Sequence, residues 1–176
     1  QLRRAGITAE ILILGPSPAF LAKDLAELGN TAQAVGSLRL AQDLSRELSG
    51  TGLTLPIHMK LETGMGRTGF TNLASAAQAM RLPHLDPQGV FTHFCVSDEY
   101  GNDFTATQFD RFTRGIDYLE ETSGKKFQLR HCTNSGAMVN YPETYLDMVR
   151  PGIVQYGVYP AAEHGALELK PVMRLM

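Results

Sequence analysis

The chain has 176 residues, of which 43% are hydrophobic and 19% are charged, and its net charge at neutral pH is −2. This size allows one domain with a sizeable core, and the charge gives no electrostatic reason to expect binding to nucleic acid or an anionic membrane. No apolar run approaches the roughly 18 residues that a transmembrane helix needs. Cys95 and Cys132 form no C-x-x-C pair and the histidines show no metal-ligand spacing. We therefore expect free thiols, no metal and a cytoplasmic location.

Short apolar strands alternate with amphipathic helical patterns along most of the chain. The predicted strands are Glu10–Gly15, Thr31–Gly36, Pro56–Glu62, Gly89–Phe94, Lys126–His131 and Leu146–Val149. The predicted helices are Pro18–Gly29, Ser37–Leu48, Leu73–Met80, Asp103–Thr122 and Asn134–Val139, and Ser37 is predicted to cap the second of them. Val154–Val158 then continues toward a break at Pro160, and Pro171–Leu175 is a last, isolated apolar strand.

Six strand-then-helix units in a row predict a parallel α/β sheet. Unusual polar residues follow four different strands: Lys60 and Arg67, then His93, then Asn134 and Ser135, then Arg150. A (β/α)8 barrel builds its site from side chains that converge from the C-terminal ends of several strands. Because a complete barrel takes about 250 residues, we predict a partial (β/α)8 TIM barrel with about six of the eight units.

The segment Leu61–Phe70, LETGMGRTGF, contains G-x-G-x-x-G, a spelling that also occurs in dinucleotide-binding turns. The strand before such a turn is usually apolar throughout, whereas here His58 and Lys60 alternate with apolar residues. An acidic residue should also close the next strand, but the residue near the end of that predicted strand is His93, and Asp86 falls in a predicted turn before the strand. A dehydrogenase is therefore the least favoured alternative.

Three blocks of sequence together resemble alanine racemases, which are fold-type III enzymes that use pyridoxal 5′-phosphate (PLP). The blocks are KLETGMGRTGF, FTHFCVSDE, and TNSGAM with MVRPGIVQYGVYP, and the resemblance extends from LRRAGITAEILILG to LKPVMRLM. It implies that the full-length protein is a homodimer that interconverts L- and D-alanine through a PLP aldimine, the reaction of D-alanine biosynthesis. A small amino acid is then the substrate.

The resemblance also implies roles for the polar residues. Ser135, Gly152 and Ile153 match the phosphate grip, and Asn134 is grouped with them as a cofactor-binding residue. Taken alone, these residues would more simply be a serine cap and a turn glycine.

Arg150 matches the residue that donates a hydrogen bond to the pyridine nitrogen, and His93 matches a supporting residue that hydrogen-bonds this arginine. Arg67 matches the arginine that contacts the cofactor's phenolic oxygen and the substrate carboxylate. Lys60 matches a lysine that is carbamylated in many members of the family. A rim histidine and a surface lysine are the simpler alternatives for His93 and Lys60.

Two elements of the family pattern are missing from the sequence. The aldimine lysine of the family lies in a motif resembling AVVKANAYGHG, and the opposing base is a tyrosine of a C-terminal β domain, contributed across the dimer. Racemisation needs a base on each face of the α-carbon, so we expect this chain alone to be inactive. We expect residues 1–160 to be the partial PLP-binding barrel, and 161–176 a linker and the first strand of the missing domain.

Other racemases and a non-catalytic protein remain open as alternatives. A serine or broad-specificity racemase of the same family could share all of these residues. A PLP-binding barrel protein without catalytic activity could share them too, although the LKPVMRLM end favours the two-domain racemase. Glu62 and Cys95 depart from the Asp and Ala that are common in the family at those positions.

Overall fold

Five parallel strands form one sheet in the computed structural model, which describes residues 1–99, 101–161 and 168–172. The strands are β1 (Ile11–Ile13), β2 (Thr31–Val35), β3 (Leu55–Lys60), β4 (Leu85–Phe91) and β5 (Leu129–His131). Each strand pairs with the next one along the chain, in the order β1-β2-β3-β4-β5. A doubly wound sheet would reverse this order at a switch point, whereas a barrel wall advances in one direction. The predicted partial barrel is confirmed, with five strands in the described part of the chain.

Helices follow the strands much as predicted. They are α1 (Ala22–Glu27), α2 (Leu38–Glu47), α3 (Leu73–Ala79), α4 (Phe104–Ser123) and α5 (Ser135–Asn140), with 3-10 turns at Ala19–Leu21, Pro142–Thr144 and Ile153–Tyr156. Ser37 caps α2 as expected, because its side chain accepts a hydrogen bond from the Leu40 amide at 3.2 Å. In the described residues, no helix combines the length and apolar character that a membrane span requires.

The two faces of the sheet differ in chemistry. Ile57 and Met59 of β3 are fully buried and belong to the same apolar core as residues of α2, α3 and α4. Alternate residues of the same strand, His58 and Lys60, are also buried, but they contact side chains of β4 and β5 across the interior of the barrel wall. The period of two along a strand therefore separates an apolar outer face from a polar inner face.

The β4 strand starts and ends earlier than predicted. It includes Asp86, which was placed in a turn, and it ends at Phe91, so His93 lies beyond it. Pairing with β3 shifts register after Pro87, where Gln88 is skipped. Proline has no N–H to donate to the ladder, which explains a bulge at this point.

The prediction of a strand at Leu146–Val149 is wrong. Leu146 has a left-handed φ of 49° and forms a turn with Asp147, which breaks an extended conformation. The segment still runs beside β5, since the Arg130 amide donates to Asp147 Oδ2 at 2.8 Å and the Arg150 amide to the Thr133 carbonyl at 2.9 Å. A side-chain acceptor thus replaces part of a regular ladder.

The last predicted strand, Pro171–Leu175, falls mostly outside the described residues. Its first two residues, Pro171 and Val172, are not in a strand. Residues 162–167 of the predicted linker are also outside the described part of the chain.

Candidate functional site

A cavity of about 380 Å³ lies where the loops after β4 and β5 meet. Its lining includes six of the predicted site residues, namely His93, Asn134, Ser135, Arg150, Gly152 and Ile153. Met65, from the glycine-containing loop after β3, and Cys95 also line it. Residues from three separate loops therefore meet at the C-terminal edge of the sheet, which is where barrel proteins place their sites.

Asn134 and Ser135 line one end of the cavity. The Asn134 side chain caps α5 by accepting from the Ala137 amide at 3.0 Å, and its Nδ2 donates to the Phe94 carbonyl at 3.1 Å. Ser135 Oγ accepts from the Gly152 amide at 2.8 Å. Because a hydroxyl that accepts a hydrogen bond keeps its own hydrogen, Ser135 can still donate to an anion in the cavity.

Arg150 is the cation of this cavity, and its orientation is fixed by several partners. Its Nη2 donates to the Thr92 carbonyl at 2.7 Å and to the Cys132 carbonyl at 3.3 Å, and its guanidinium lies 5.3 Å from the Phe91 ring centre. Its Nη1 is 2.5 Å from Nδ1 of His131. Burial lowers the pKa of Arg150 to about 10, so the group remains charged at neutral pH.

His131, rather than His93, is the histidine that hydrogen-bonds Arg150. The reason is the early end of β4: His93 lies two residues beyond the strand, whereas His131 closes β5 directly opposite Phe91. His93 still lines the cavity. Burial, followed by the charges of Arg150, Arg67 and Lys60, lowers the pKa of His93 to about 4, so its side chain is neutral at pH 7.

Lys60, the last residue of β3, is buried with its Nζ 2.6 Å from Thr68 Oγ1. It lies 5.7 Å from the centre of the Phe91 ring and lines a second cavity of about 260 Å³. Burial lowers the pKa of Lys60, and the charge of Arg67 lowers it further, while Glu62 raises it. The low pKa increases the fraction of neutral amine at a given pH.

Arg67 is exposed and is not among the residues that line the first cavity. Within the described part of the chain, no hydrogen bond or ion pair fixes its guanidinium. The structure thus places Arg67 in the same loop as Met65 and close enough to Lys60 to lower the pKa of that lysine.

The glycine loop is closed on itself around the Glu62 carboxylate. The Gly64 amide donates to Oε1 at 2.6 Å and the Arg67 amide to Oε2 at 3.3 Å. The ends of the loop are joined because the Phe70 amide donates to the Lys60 carbonyl at 2.8 Å. Gly69 has φ of 140°, and a Cβ there would lie 2.8 Å from the Glu62 nitrogen. The glycines therefore serve a tight turn whose amides already bind a carboxylate, which argues against a pyrophosphate cradle.

Two residues of the inner face, His58 and His131, were not predicted as part of the site. His58 Nδ1 lies 2.8 Å from His131 Nε2, and the His131 ring stacks on Phe91 with centres 4.9 Å apart. The sequence contained a signal for His58, which alternates with apolar residues on the polar face of its predicted strand, but not for His131, which shares the parity of Phe127 and Leu129. The register between strands, which brings the two rings together, was not available from the sequence.

The comparisons with known proteins agree with this architecture. A family model described as "Alanine racemase, N-terminal domain" matches residues 1–160. The alanine racemase of Desulforamulus reducens is 42% identical over 181 residues, covering 99% of this chain and 48% of that protein. The alanine racemase structure from Clostridium difficile 630 has a TM-score of 0.89 and 34% identity, covering 97% of this chain and 48% of its own. A histidine racemase from Leuconostoc mesenteroides has a TM-score of 0.83 and 27% identity, with 97% and 46% covered. The chain thus spans about half the length of the relatives it matches.

Proposed function

Since this chain belongs to the alanine racemase N-terminal domain family, we propose that the full-length protein interconverts L- and D-alanine with PLP as its cofactor. The observation that carries this proposal is the cavity where Arg150, Ser135, Gly152 and Ile153 meet. An anion-binding end and a donor-only cation stand side by side there, which suits a cofactor with a phosphate and a basic ring nitrogen.

The residues present fit the phosphate of PLP. The Ser135 hydroxyl retains a hydrogen to donate, and Ile153, which also lines the cavity, begins the 3-10 turn Ile153–Tyr156. Gly152 adds no side chain between them, and a Cβ there would find its nearest neighbour, Ser135 Oγ, at 3.6 Å. We propose that these groups hold the phosphate, while Asn134 holds the backbone that presents Ser135.

The residues also fit the ring nitrogen. When bound, PLP supplies an electron sink for the charge left by the α-proton of the amino acid. Arg150 can donate a hydrogen bond but cannot accept one, so it keeps a facing ring nitrogen unprotonated. An unprotonated ring withdraws electrons less strongly from the substrate, and this disfavours side reactions. His93, neutral in the same cavity, supports this environment as a further polar group beside Arg150.

Lys60 and Arg67 are suited to binding the carboxylate of the substrate. We propose that Arg67 swings from its exposed position to bind the substrate carboxylate and the phenolic oxygen of the cofactor, because a guanidinium matches a carboxylate in a bidentate manner. We also propose that Lys60 reacts with CO2 as the free amine, forming an Nζ–C bond and releasing a proton. The resulting carbamate anion would orient Arg67, and the lowered pKa of Lys60 favours the reactive amine.

We propose that the two bases come from parts of the full-length protein outside this sequence. Residues 1–160 would then form most of the cofactor-binding barrel, and residues 161–176 would connect to a C-terminal β domain. In the homodimer, a tyrosine of that domain would reach the site of the other protomer. The free thiols of Cys95 and Cys132 suit a cytoplasmic location.

Two kinds of relative bear on the substrate. Relatives named as alanine racemases favour alanine, while the histidine racemase relative favours testing larger amino acids. A serine or broad-specificity racemase therefore remains the second candidate, and a non-catalytic PLP-binding barrel the third.

The test is a racemisation assay of the full-length protein with PLP and a panel of L-amino acids. We expect D-alanine to form fastest, and the 176-residue chain alone to form none. Binding of PLP without racemisation of any amino acid would instead favour the non-catalytic alternative. Racemisation by the chain alone would contradict the assignment of both bases to other segments.

A further inference from the structure

Three polar side chains form a continuous line across the inner face of the sheet. Arg150 Nη1 lies 2.5 Å from His131 Nδ1, and His131 Nε2 lies 2.8 Å from His58 Nδ1. His131 is fully buried and His58 nearly so. The line begins at the cavity proposed for the cofactor and ends in the middle of β3.

The chemistry of arginine fixes the direction of every hydrogen bond in this line. A guanidinium only donates, so His131 must accept through Nδ1. A neutral imidazole that accepts at one nitrogen carries its proton on the other, and His131 therefore donates through Nε2 to His58. His58 in turn accepts at Nδ1 and keeps its own proton on Nε2.

Both histidines are neutral at pH 7, as this direction requires. Burial, together with the charge of Arg150, lowers the pKa of His131 to about 2 and that of His58 to about 4. A second proton on either ring would place two donors face to face. The line therefore has one arrangement of protons that satisfies every contact.

We propose that His58 is a positioning residue for Arg150, acting through His131. Its Nδ1 lone pair accepts the Nε2 proton of His131, which stabilises the same His131 tautomer that Arg150 requires and so keeps the guanidinium turned toward the cavity. The consequence for catalysis rests on the proposed function, whereas the proton arrangement does not.

Packing holds the His58 ring in the required place. A Cβ at Gly89 would lie 2.4 Å from His58 Nδ1, so the ring lies directly against the backbone of β4. The His131 ring is stacked on Phe91 at an angle of 5°, which fixes the other partner. Gly89 thus makes room for the acceptor, and a methyl group at this position would displace it.

The first experiment reads the protons directly and needs neither PLP nor a substitution within the line. Full-length protein labelled with ¹⁵N-histidine and free of cofactor is examined by NMR at pH 7. We expect His131 and His58 each to show a protonated Nε2 and an unprotonated Nδ1. A proton on Nδ1 of His131 would overturn the proposal, whatever the activity of the enzyme. His84→Asn is the assignment control, because His84 has φ of 64°, which asparagine tolerates.

The second experiment tests the consequence with variants of the PLP-loaded full-length protein. In His58→Asn the amide oxygen takes the place of the Nδ1 acceptor, whereas His58→Leu removes it. Outer partners of metal-binding histidines typically change activity about 10- to 100-fold, and by analogy we expect the Leu variant to lose kcat by about that factor with little change in KM. The Asn variant should recover most of the loss.

Gly89→Ala is an independent perturbation that keeps His58 but displaces its ring. We expect it to lower kcat as His58→Leu does and to change the absorption spectrum of bound PLP in the same direction. Equal kcat in the Leu, Asn and parent proteins would overturn the proposal. Where the Leu variant does not fold, the Asn and Gly89→Ala variants and the NMR of the unsubstituted protein still decide it.

Discussion

On β3, Ile57 and Met59 face the helices, while His58 and Lys60 face the interior of the partial barrel. The outer residues contact apolar side chains, and their removal from water stabilises the folded state. The inner residues are equally buried but contact ring nitrogens, hydroxyls and a π face. Neighbouring positions of one strand thus have different roles. Substitutions on the outer face should change the free energy of unfolding, and substitutions at the site should change the kinetics.

The largest expected effect on stability lies on the outer face. Ile57→Ala removes a fully buried side chain, and large-to-small core substitutions of this kind cost about 2–5 kcal/mol. Denaturant unfolding of the full-length protein measures the loss. Thr54→Ala, at an exposed position just before β3, is the matched control, for which we expect a change within about 0.5 kcal/mol. A loss equal to that of the control would show that β3 does not anchor the core.

Arg67→Lys should lower kcat/KM and leave the stability unchanged, which is the opposite of the effect expected for Ile57→Ala. The residue is exposed, so stability should not change, but the bidentate contact proposed for the substrate carboxylate would be lost. Hydrogen bonds to charged groups are worth about 1.5–3 kcal/mol, which corresponds to a fall in kcat/KM of roughly 10- to 150-fold. Arg39→Lys, at an exposed position on α2, serves as the control. Unchanged kcat/KM in the Arg67 variant would remove this residue from the site.

Glu62→Gln tests the loop that presents Arg67. Burial alone would raise the pKa of Glu62, but hydrogen bonds from the amides of the loop outweigh it and the pKa is lowered. A carboxylate whose folded pKa lies below its unfolded value contributes stability above the unfolded pKa, and this contribution is lost as the pH falls through the folded pKa.

At pH 7 we therefore expect the Gln variant to be less stable than the parent by about 1 kcal/mol. Urea unfolding at several pH values should show this difference shrinking as the parent carboxylate is protonated. A difference that stays constant into the acid range would mean that the charge of Glu62 does not hold the loop.

The smallest effect is expected at the capping residue of α2. Ser37→Ala removes the acceptor of the Leu40 amide and should cost about 1 kcal/mol of unfolding free energy, with no effect on kcat. Ser49→Ala, exposed after the end of α2, is the control and should leave thermal melting unchanged. A loss of activity in the Ser37 variant at unchanged stability would show that the outer layer affects the chemistry of the site.

The outer layer of this fold could be predicted from sequence better than the inner one. Alternation at Ile57 and Met59, the Ser37 cap and the long apolar face of α4 are local patterns, and each gave the right element. The supposed strand at Leu146–Val149 failed because composition does not show that Leu146 adopts a left-handed φ. Similarly, the sequence did not show that β4 ends at Phe91, two residues before His93, or that its register with β3 shifts at Gln88.

The inner face depends on the register between strands. His131 reaches Arg150 because β5 pairs with β4 so that His131 lies opposite Phe91, and this register brings its other ring nitrogen to His58 on β3. Polar alternation marks His58 as a candidate but not His131, which alternates in phase with Phe127 and Leu129, and only the assembled sheet shows which histidine contacts Arg150. The family motifs located the cavity residues, whereas the contacts among them came from the structure.

We propose that the phosphate of the cofactor binds between Ser135 and Ile153, whereas the amides of the glycine loop after β3 bind the Glu62 carboxylate. A crystal structure of the full-length protein with PLP would locate the phosphate. We expect the phosphate at hydrogen-bond distance, about 3 Å, from Ser135 Oγ and the Ile153 amide, with the ring nitrogen facing Arg150. A phosphate bound by the amides of Gly64, Gly66 and Gly69, with Glu62 displaced, would rule out the site at Ser135 and Ile153.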